Sequence, residues 1–413
     1  MPMETGGVTP VFVATRAEAL RRLDIFLPRA GRAYAEQRNS DGGPEGERSV
    51  SALSPYLRYR LLTEREVIAA ALDRHGPEAA GKFVSEVLWR TYFKGWLELR
   101  PAAWNRFLVE RDAVQETVRH SGGLARAISS AEEGRTGIDG FDDWARELVA
   151  HGYLHNHARM WFASIWIFTL RLPWTLGADF FLRHLVDADP ASNTLSWRWV
   201  AGLQTPGKTY LATADNIARY TGGRFSPRGL ATEAPALGEP PLPGLRGLPS
   251  PASLPPGPAL LLMHPEDFGP ESVVPPGTEI AGVLSATGSS AHWPWGNAAR
   301  RFVTQAAEDA AVRAGATFDC ASTVSEGLEA EAVLTAVAAS GATWVLAPEA
   351  PVGPVADALA DLAGPLAAAG IGLVRRRRSW DDALWPLATK GFFPFRQRSA
   401  AVLEADGLRP GGS

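Results

Sequence analysis

Residues His184–Tyr210 read HLVDADPASNTLSWRWVAGLQTPGKTY, and this stretch decides the fold. Asp187, Asp189, Ser192 and Asn193 gather around Pro190 as a polar turn inside an otherwise apolar run, with Trp197 and Trp199 following. Taken alone it is an Asx turn and a helix cap. Packed against Arg159 of the preceding helical stretch, Asp187 gains a buried counter-ion, which a site needs and a plain turn does not. Working outward, residues 142–172 are helical and strongly apolar, and Pro173 ends them. Residues 16–36 and 63–100 place apolar side chains at i, i+3, i+4 and i+7. The segment between them is loop-like, with Pro55 suited to a helix start. No strand alternation of any length precedes residue 230, so the first part is expected to be all-α.

The composition then changes. Residues 233–258, EAPALGEPPLPGLRGLPSPASLPPGP, read as an extended Pro/Gly linker. Beyond them short apolar runs (ALLLMH, IAGVLSA, WVLAPEA, IGLVRR) alternate with Ala-rich helical stretches, the pattern of a parallel α/β sheet. The division expected is 1–230 helical, 231–258 linker and 259–400 α/β, and 413 residues is long for a single core.

Composition excludes several classes. No apolar run approaches the roughly 18 residues of a membrane span, so no membrane partner is expected. The start lacks a basic stretch followed by an apolar one, so no secretory signal is expected and a cytoplasmic location follows by default. A single cysteine, Cys320, excludes a disulfide framework and a cysteine-ligated iron–sulfur cluster. The net charge of −4 gives no whole-chain argument for nucleic acid, so DNA binding requires a local basic surface. Tryptophan stands out: nine of the 14 precede residue 200, which suggests an aromatic-packed helical core or a site for flat π systems.

Two further segments carry candidate chemistry. In SEVLWRTYFKGW, Glu86, Trp89, Arg90 and Phe93 share one helical face, as a pocket wall or as a surface Glu–Arg pair. In YLHNHARMW, Asn156 and Met160 lie about one turn apart beside Arg159. His151, His155 and His157 lack a carboxylate motif such as H-E-x-x-H, so no metal is expected.

These segments, with AYAEQRN, LSPYL, EVLWR, EEGRTGIDGFDDW, HNHARM, RLPW and HLVDADPASNTLSWRWVAG in register, resemble the FAD-binding helical domain of the cryptochrome/photolyase family from about Leu20 to Tyr220. The resemblance implies an α + α/β chain, with an all-helical FAD-binding domain followed by a smaller parallel-sheet domain. It implies a U-shaped FAD, active when reduced, with Tyr34, Ser51, Leu53 and Ser54 near the diphosphate. Arg90, Arg159, Phe181, Asp187 and Asp189 would surround the rest of the cofactor. Asn193 would face flavin N5, as in repair enzymes, hydrogen-bonding it without readily supplying a proton. Glu86, Trp89, Asn156, Met160 and Trp199 match the pocket for a flipped cyclobutane pyrimidine dimer, the substrate in UV-damaged DNA. The histidines of (6-4) enzymes are absent at Asn156 and Met160.

Departures accompany the match. Trp197 and Trp174 match the proximal and middle residues of the electron-transfer chain. The distal position falls near Ser121, leaving Trp104, Trp144 or Trp166 to substitute. Val50 and Ala52 replace polar residues, Tyr153 replaces a Trp, and Asp142 is the acid of TGIDGFD. The α/β part follows the helical part, and its end, GIGLVRRRRSWDDALWPLATKGFFPFRQR, resembles the end of an antenna domain. A relocated antenna-like domain and an unrelated doubly wound fold both remain open, and whether a second chromophore binds is unknown. Arg159, Arg171, Arg183, Arg198, Lys208, Arg219, Arg224 and Arg228 are expected to supply a phosphate-contacting rim. The expected function is light-driven, flavin-dependent dimer repair by a monomer. The alternative is a short cryptochrome-like photoreceptor that signals to a protein partner through the C-terminal part.

Overall fold

The computed structural model describes residues 12–44, 49–288 and 293–408. Helices α1 (Arg16–Phe26), α2 (Arg32–Gln37) and α3 (Ser54–Arg58) lead into α4 (Glu64–Glu98). Thr63 opens α4 reciprocally: its side chain accepts from the Glu66 N–H, and the Glu66 carboxylate accepts from the Thr63 N–H. Gly76, at φ 71° and ψ 168°, breaks α4 into two arms just before Pro77. There follow α5 (Ala102–Arg119), α6 (Gly122–Glu132), α7 (Phe141–His151), α8 (Asn156–Ser164), α9 (Trp174–His184), α10 (Pro190–Val200) and α11 (Ala214–Tyr220).

Two stretches expected to be continuous are broken. Residues 16–36 divide between α1 and α2 around a single 3-10 turn, Leu27–Arg29, that contains Pro28. Residues 142–172 divide at Gly152, a left-handed cap at φ 68° where a Cβ would stand 2.5 Å from Val186 Cγ2. His155 then caps α8 by accepting from the His157 N–H. Local periodicity does not register such a break, because apolar spacing resumes in phase after it.

Strands β1 (Ala259–Met263), β2 (Ile280–Ala286), β3 (Ala321–Ser325), β4 (Trp344–Pro348) and β5 (Gly372–Arg376) form one parallel sheet in the order β3-β2-β1-β4-β5. This is a doubly wound arrangement whose order reverses between β1 and β4. Helices α12 (Asn297–Phe318), α13 (Ala330–Ser340) and α14 (Pro354–Ala368) are interleaved with the strands, and α15 (Ser379–Leu384) and α16 (Phe392–Ala405) follow the last one. All five residues of β1 are buried. Ala259, Leu261 and Met263 enter the core shared with the helices before residue 220, while Leu260 and Leu262 face a smaller core with residues of α13 and α14. One hydrophobic core thus runs from α1 into the sheet.

Two connections tighten this arrangement. Residues 231–258 are extended but pinned to the helical surface. The Leu237 N–H donates to Ala201 O (3.0 Å) and the Arg246 N–H to Leu99 O (2.9 Å). Glu239 pairs with Arg198 and, at 3.1 Å, with Arg106. Past β5 the chain returns to α4: the Tyr92 hydroxyl donates to Lys390 O (2.9 Å), and Arg65 pairs with Asp406 at 2.6 Å. Helix α16 therefore runs antiparallel along α4. Among the described residues no helix is long and apolar enough to cross a membrane.

Candidate functional site

The polar turn is built as a cap. Asp189 accepts from the N–H groups of Ala191 (2.9 Å) and Ser192 (3.0 Å), and Pro190 takes the first helical position of α10. Its other carboxylate oxygen pairs with Arg90 at 2.8 Å and Lys94 at 3.6 Å. Burial would raise the Asp189 carboxyl, but Lys94, Arg90 and Arg58 together hold it well below the ordinary range. Asp189 is thus fully engaged within the chain, holding Arg90, Lys94 and the start of α10.

Asp187 is different. One oxygen accepts from Arg159 at 2.8 Å and from the Ser54 hydroxyl, tying α8 to α3, while Oδ1 is buried with no partner. Arg90 Nε is likewise buried without a hydrogen bond. Asn193 donates Nδ2 to Ala178 O at 2.9 Å, leaving its carbonyl oxygen without a protein donor. Ser51 accepts from the Leu53 N–H (3.3 Å), and Ala52 between them is left-handed at φ 50°, a costly conformation for a residue with a Cβ. Tyr34 is buried edge-on to Phe26 and Phe83, and Phe181 is buried against Phe162. Among the described residues a buried carboxylate oxygen of Asp187 and the Asn193 carbonyl oxygen lack donors, which suits a large polar ligand that brings hydrogen-bond donors. FAD is such a ligand, and these residues fit it.

The tryptophans of the expected chain sit in separate aromatic groups. The rings around Trp197 are Phe181 (5.1 Å), Trp166 (6.3 Å) and Phe162 (6.5 Å). Gly177 permits this packing, since a Cβ there would lie 2.3 Å from Trp197 Cη2. Trp174 instead packs on Phe107, which joins Trp104 and Trp293, and its indole N–H donates to Glu110 (3.1 Å). Of the three substitutes, Trp166 is the ring neighbour of Trp197, Trp104 reaches Trp174 through Phe107, and Trp144 stacks apart on Trp161. Ser121 is the cap of α6.

The five residues matched to the dimer pocket lie on α4, α8 and α10. Glu86 is half-buried and pairs with Arg38 at 2.6 Å; burial pushes its carboxyl upward against the pull of Arg38. Asn156 is exposed at the start of α8 and Met160 is half-buried one turn on. Trp199 is 37% exposed and stacks on Tyr210 at 5.6 Å. Trp89 differs from the expected open wall: Phe392 of α16 lies face to face on it at 3.8 Å and 9°. Neither Arg38 nor Phe392 was singled out in the sequence; Arg38 carried a signal, standing one turn after Tyr34.

The histidines have local roles. His155 is pushed down to about 4 by burial and caps α8 as a neutral ring. His157 bonds Asn39 O at 2.8 Å and stacks on Trp161. The expected basic rim is half consumed by distant carboxylates. Arg159 pairs with Asp187, Arg183 with Asp179 and Glu132, Arg198 with Glu239, and Arg224 with Asp41, which leaves Arg171, Lys208, Arg219 and Arg228 without a carboxylate partner among the described residues.

Behind the site lies a buried charge set that joins α3 and α4 to the segment after β1. Arg58 and Lys94 meet Glu266 at 2.6 and 3.1 Å; Arg90 also approaches Glu64 at 3.6 Å. Arg60 meets Asp381 and Asp267 at 2.7 and 3.4 Å, and Arg378 meets Asp267 at 2.6 Å. With Asp189 these make five cations and five carboxylates, none more than 10% exposed.

The family model described as the FAD binding domain of DNA photolyase matches residues 83–224. A deoxyribodipyrimidine photo-lyase of Thermus thermophilus is 34% identical over 235 residues, covering 55% of this chain and 52% of that protein. One of Streptomyces griseus is 34% identical over 158 residues, covering 38% of this chain and 33% of its own length. A solved class III photolyase of Agrobacterium tumefaciens aligns at 28% identity and a TM-score of 0.43, covering 51% of this chain and 44% of that one. The chain spans about half the length of the curated relatives it matches first. The matched region begins in the second arm of α4 and holds Glu86, Arg90, Arg159, Asp187, Asp189 and Asn193. Residues 83–224 of this chain thus match the FAD-binding domain of DNA photolyase, and the helical half is similar to deoxyribodipyrimidine photo-lyases.

Proposed function

We propose that the protein uses reduced FAD and blue light to split cyclobutane pyrimidine dimers in damaged DNA. The observation that carries this reading is Asn193, whose amide N–H is committed to Ala178 O while its carbonyl oxygen has no donor among the described residues. Such a group accepts a hydrogen bond from a protonated ring nitrogen and has no acidic proton to return, which suits a flavin kept reduced. Arg159 and Ser54 hold Asp187 with one oxygen free to accept from the cofactor, and Asp189 and Glu64 fix the Arg90 guanidinium. Reduced FAD, when bound, supplies the electron that light moves to the dimer and that returns after the ring is split, without net redox change. Glu86, raised by burial, and the exposed Asn156 would hydrogen-bond the pyrimidine carbonyls, and Trp199 offers a stacking face worth about 1–3 kcal/mol per base. Trp197, with Trp166 beside it, is the inner donor for photoreduction.

The test is to load the protein with FAD, photoreduce it and follow dimers in an irradiated thymine oligomer in light and in darkness. Light-dependent loss of dimers is expected; a fully reduced, loaded sample that repairs nothing overturns the reading. A second reading, a photoreceptor signalling through its C-terminal part, draws on the stack of Phe392 on Trp89, which places the last helix directly on the helix that carries Arg90. It predicts no repair and a light-dependent change in protection of α16 from hydrogen exchange.

A further inference from the structure

We propose that the amino end of α16 is part of the DNA-binding surface: Phe393 stacks on a base beside the lesion, and Lys82, Lys390 and Arg396 take the phosphates. The proposal rests on the repair reading above and extends it to a segment outside the matched region, which ends at residue 224.

Phe393 is 77% exposed, more than any other large hydrophobic side chain among the described residues. It is held rigidly, between the Gly391 cap and Pro394, in the first turn of α16. Its neighbour Phe392 lies 6.0 Å away, ring to ring, and stacks on Trp89, itself one turn from Glu86 on α4. The exposed ring is therefore the outer edge of an aromatic ledge that begins at the candidate dimer pocket.

The charges point the same way. Lys390 and Arg396 have no carboxylate partner among the described residues, and Lys82 shares with Arg38 the attraction of Glu86, which is paired with Arg38. Arg396 Nη2 lies 3.9 Å from the place a Cβ on Gly81 would take, so its charge sits beside Lys82 over the outer face of α4. An exposed ring flanked by unmatched cations suits a single strand, where bases stack on the aromatic and phosphates meet the cations. A chain with a net charge of −4 needs such a local patch to attract DNA.

The test measures binding of a fluorescein-labelled thymidine oligomer, with and without one cyclobutane dimer, by anisotropy across a salt series. Phe393→Ala is expected to weaken binding about tenfold with the salt slope kept, since base–aromatic stacking is worth about 1–3 kcal/mol. The double variant Lys390→Gln/Arg396→Gln is expected to weaken binding at low salt and to flatten the slope of log K against log salt by roughly 1.4, for two single-strand phosphate contacts. Flavin absorbance and melting temperature should not move, because Phe393 and Lys390 are exposed and Arg396 has no ion pair to lose. If the unaltered protein repairs dimers and both variants bind like it, the ledge proposal is wrong and the repair reading stands. If the unaltered protein neither binds nor repairs, the repair reading fails and takes this one with it. If Phe393→Ala instead turns a dimer into a monomer on sedimentation with DNA binding intact, the patch is a self-association surface and the proposal is overturned.

Discussion

The turn from Asp187 to Asn193 and the segment from His264 to Asp267 are both buried and both rich in carboxylates, yet their polar atoms end differently. In the second segment the set is closed. Glu266 meets Arg58 and Lys94, Asp267 meets Arg60 and Arg378, and His264 Nε2 lies 2.9 Å from Pro348 O. In the first segment it is open: among the described residues Asp187 Oδ1 has no donor, and neither has the Asn193 carbonyl. A buried polar atom left unpaired costs about 1–3 kcal/mol, so a fold tolerates several in one place where a ligand completes them. Closed sets hold halves of a molecule together, and open sets mark where something binds.

The strongest way to break this comparison is at Glu266. Glu266→Gln strands Arg58 and Lys94 near Asp189, and loss of one partner from a buried charge set costs about 3–5 kcal/mol. Chemical denaturation should show that loss equally in FAD-free and FAD-loaded protein. A variant that recovers full stability on loading would show that the charge set belongs to the ligand site after all.

The same contrast explains what the sequence made legible. Asp189, Pro190 and Asn193 lie within five residues, so capping rules alone place them, and Asp187 with Arg159 follows from two adjacent segments. The α + α/β division and the parallel sheet are legible too, because apolar period and Pro/Gly content change where the architecture does. Arg58 and Glu266 are 208 positions apart, and Trp89 and Phe392 are farther apart still. Pairings of that kind are set by tertiary packing, and no spacing announces them. Half of the expected basic rim is taken up partly for this reason: Arg198 and Arg224 looked free within 156–230, but their partners Glu239 and Asp41 lie outside that window, and Arg183 adds Glu132 to its near neighbour Asp179.

Glu98 is the exception at the closed junction and gives the next largest effect. Its carboxyl is pushed up to about 7 from 4.5, first by burial and further by Glu349, against a hydrogen bond from the Val352 N–H and the weaker pull of Arg246 and Lys94. The folded state therefore binds this proton more tightly than the unfolded chain does. The stability it contributes is present below pH 4.5 and is lost as pH rises through about 7, by up to about 3 kcal/mol. Urea denaturation across that range should show the decline, and Glu98→Gln should flatten it. An unchanged pH profile in the variant would mean that another group titrates there.

The smallest effect is expected at Asn193, and it bears most directly on the open set. Asn193→Ala removes one hydrogen bond to Ala178 O, so FAD-free protein should lose about 1 kcal/mol. The FAD-loaded protein should lose more, because the carbonyl that meets the cofactor goes too; each tenfold drop in FAD affinity takes about 1.4 kcal/mol from the stabilisation by saturating ligand. Melting with and without FAD separates the two contributions. Equal losses in both states would mean that the Asn193 carbonyl meets nothing, and the distinction between open and closed sets would then collapse at the residue where it should be clearest.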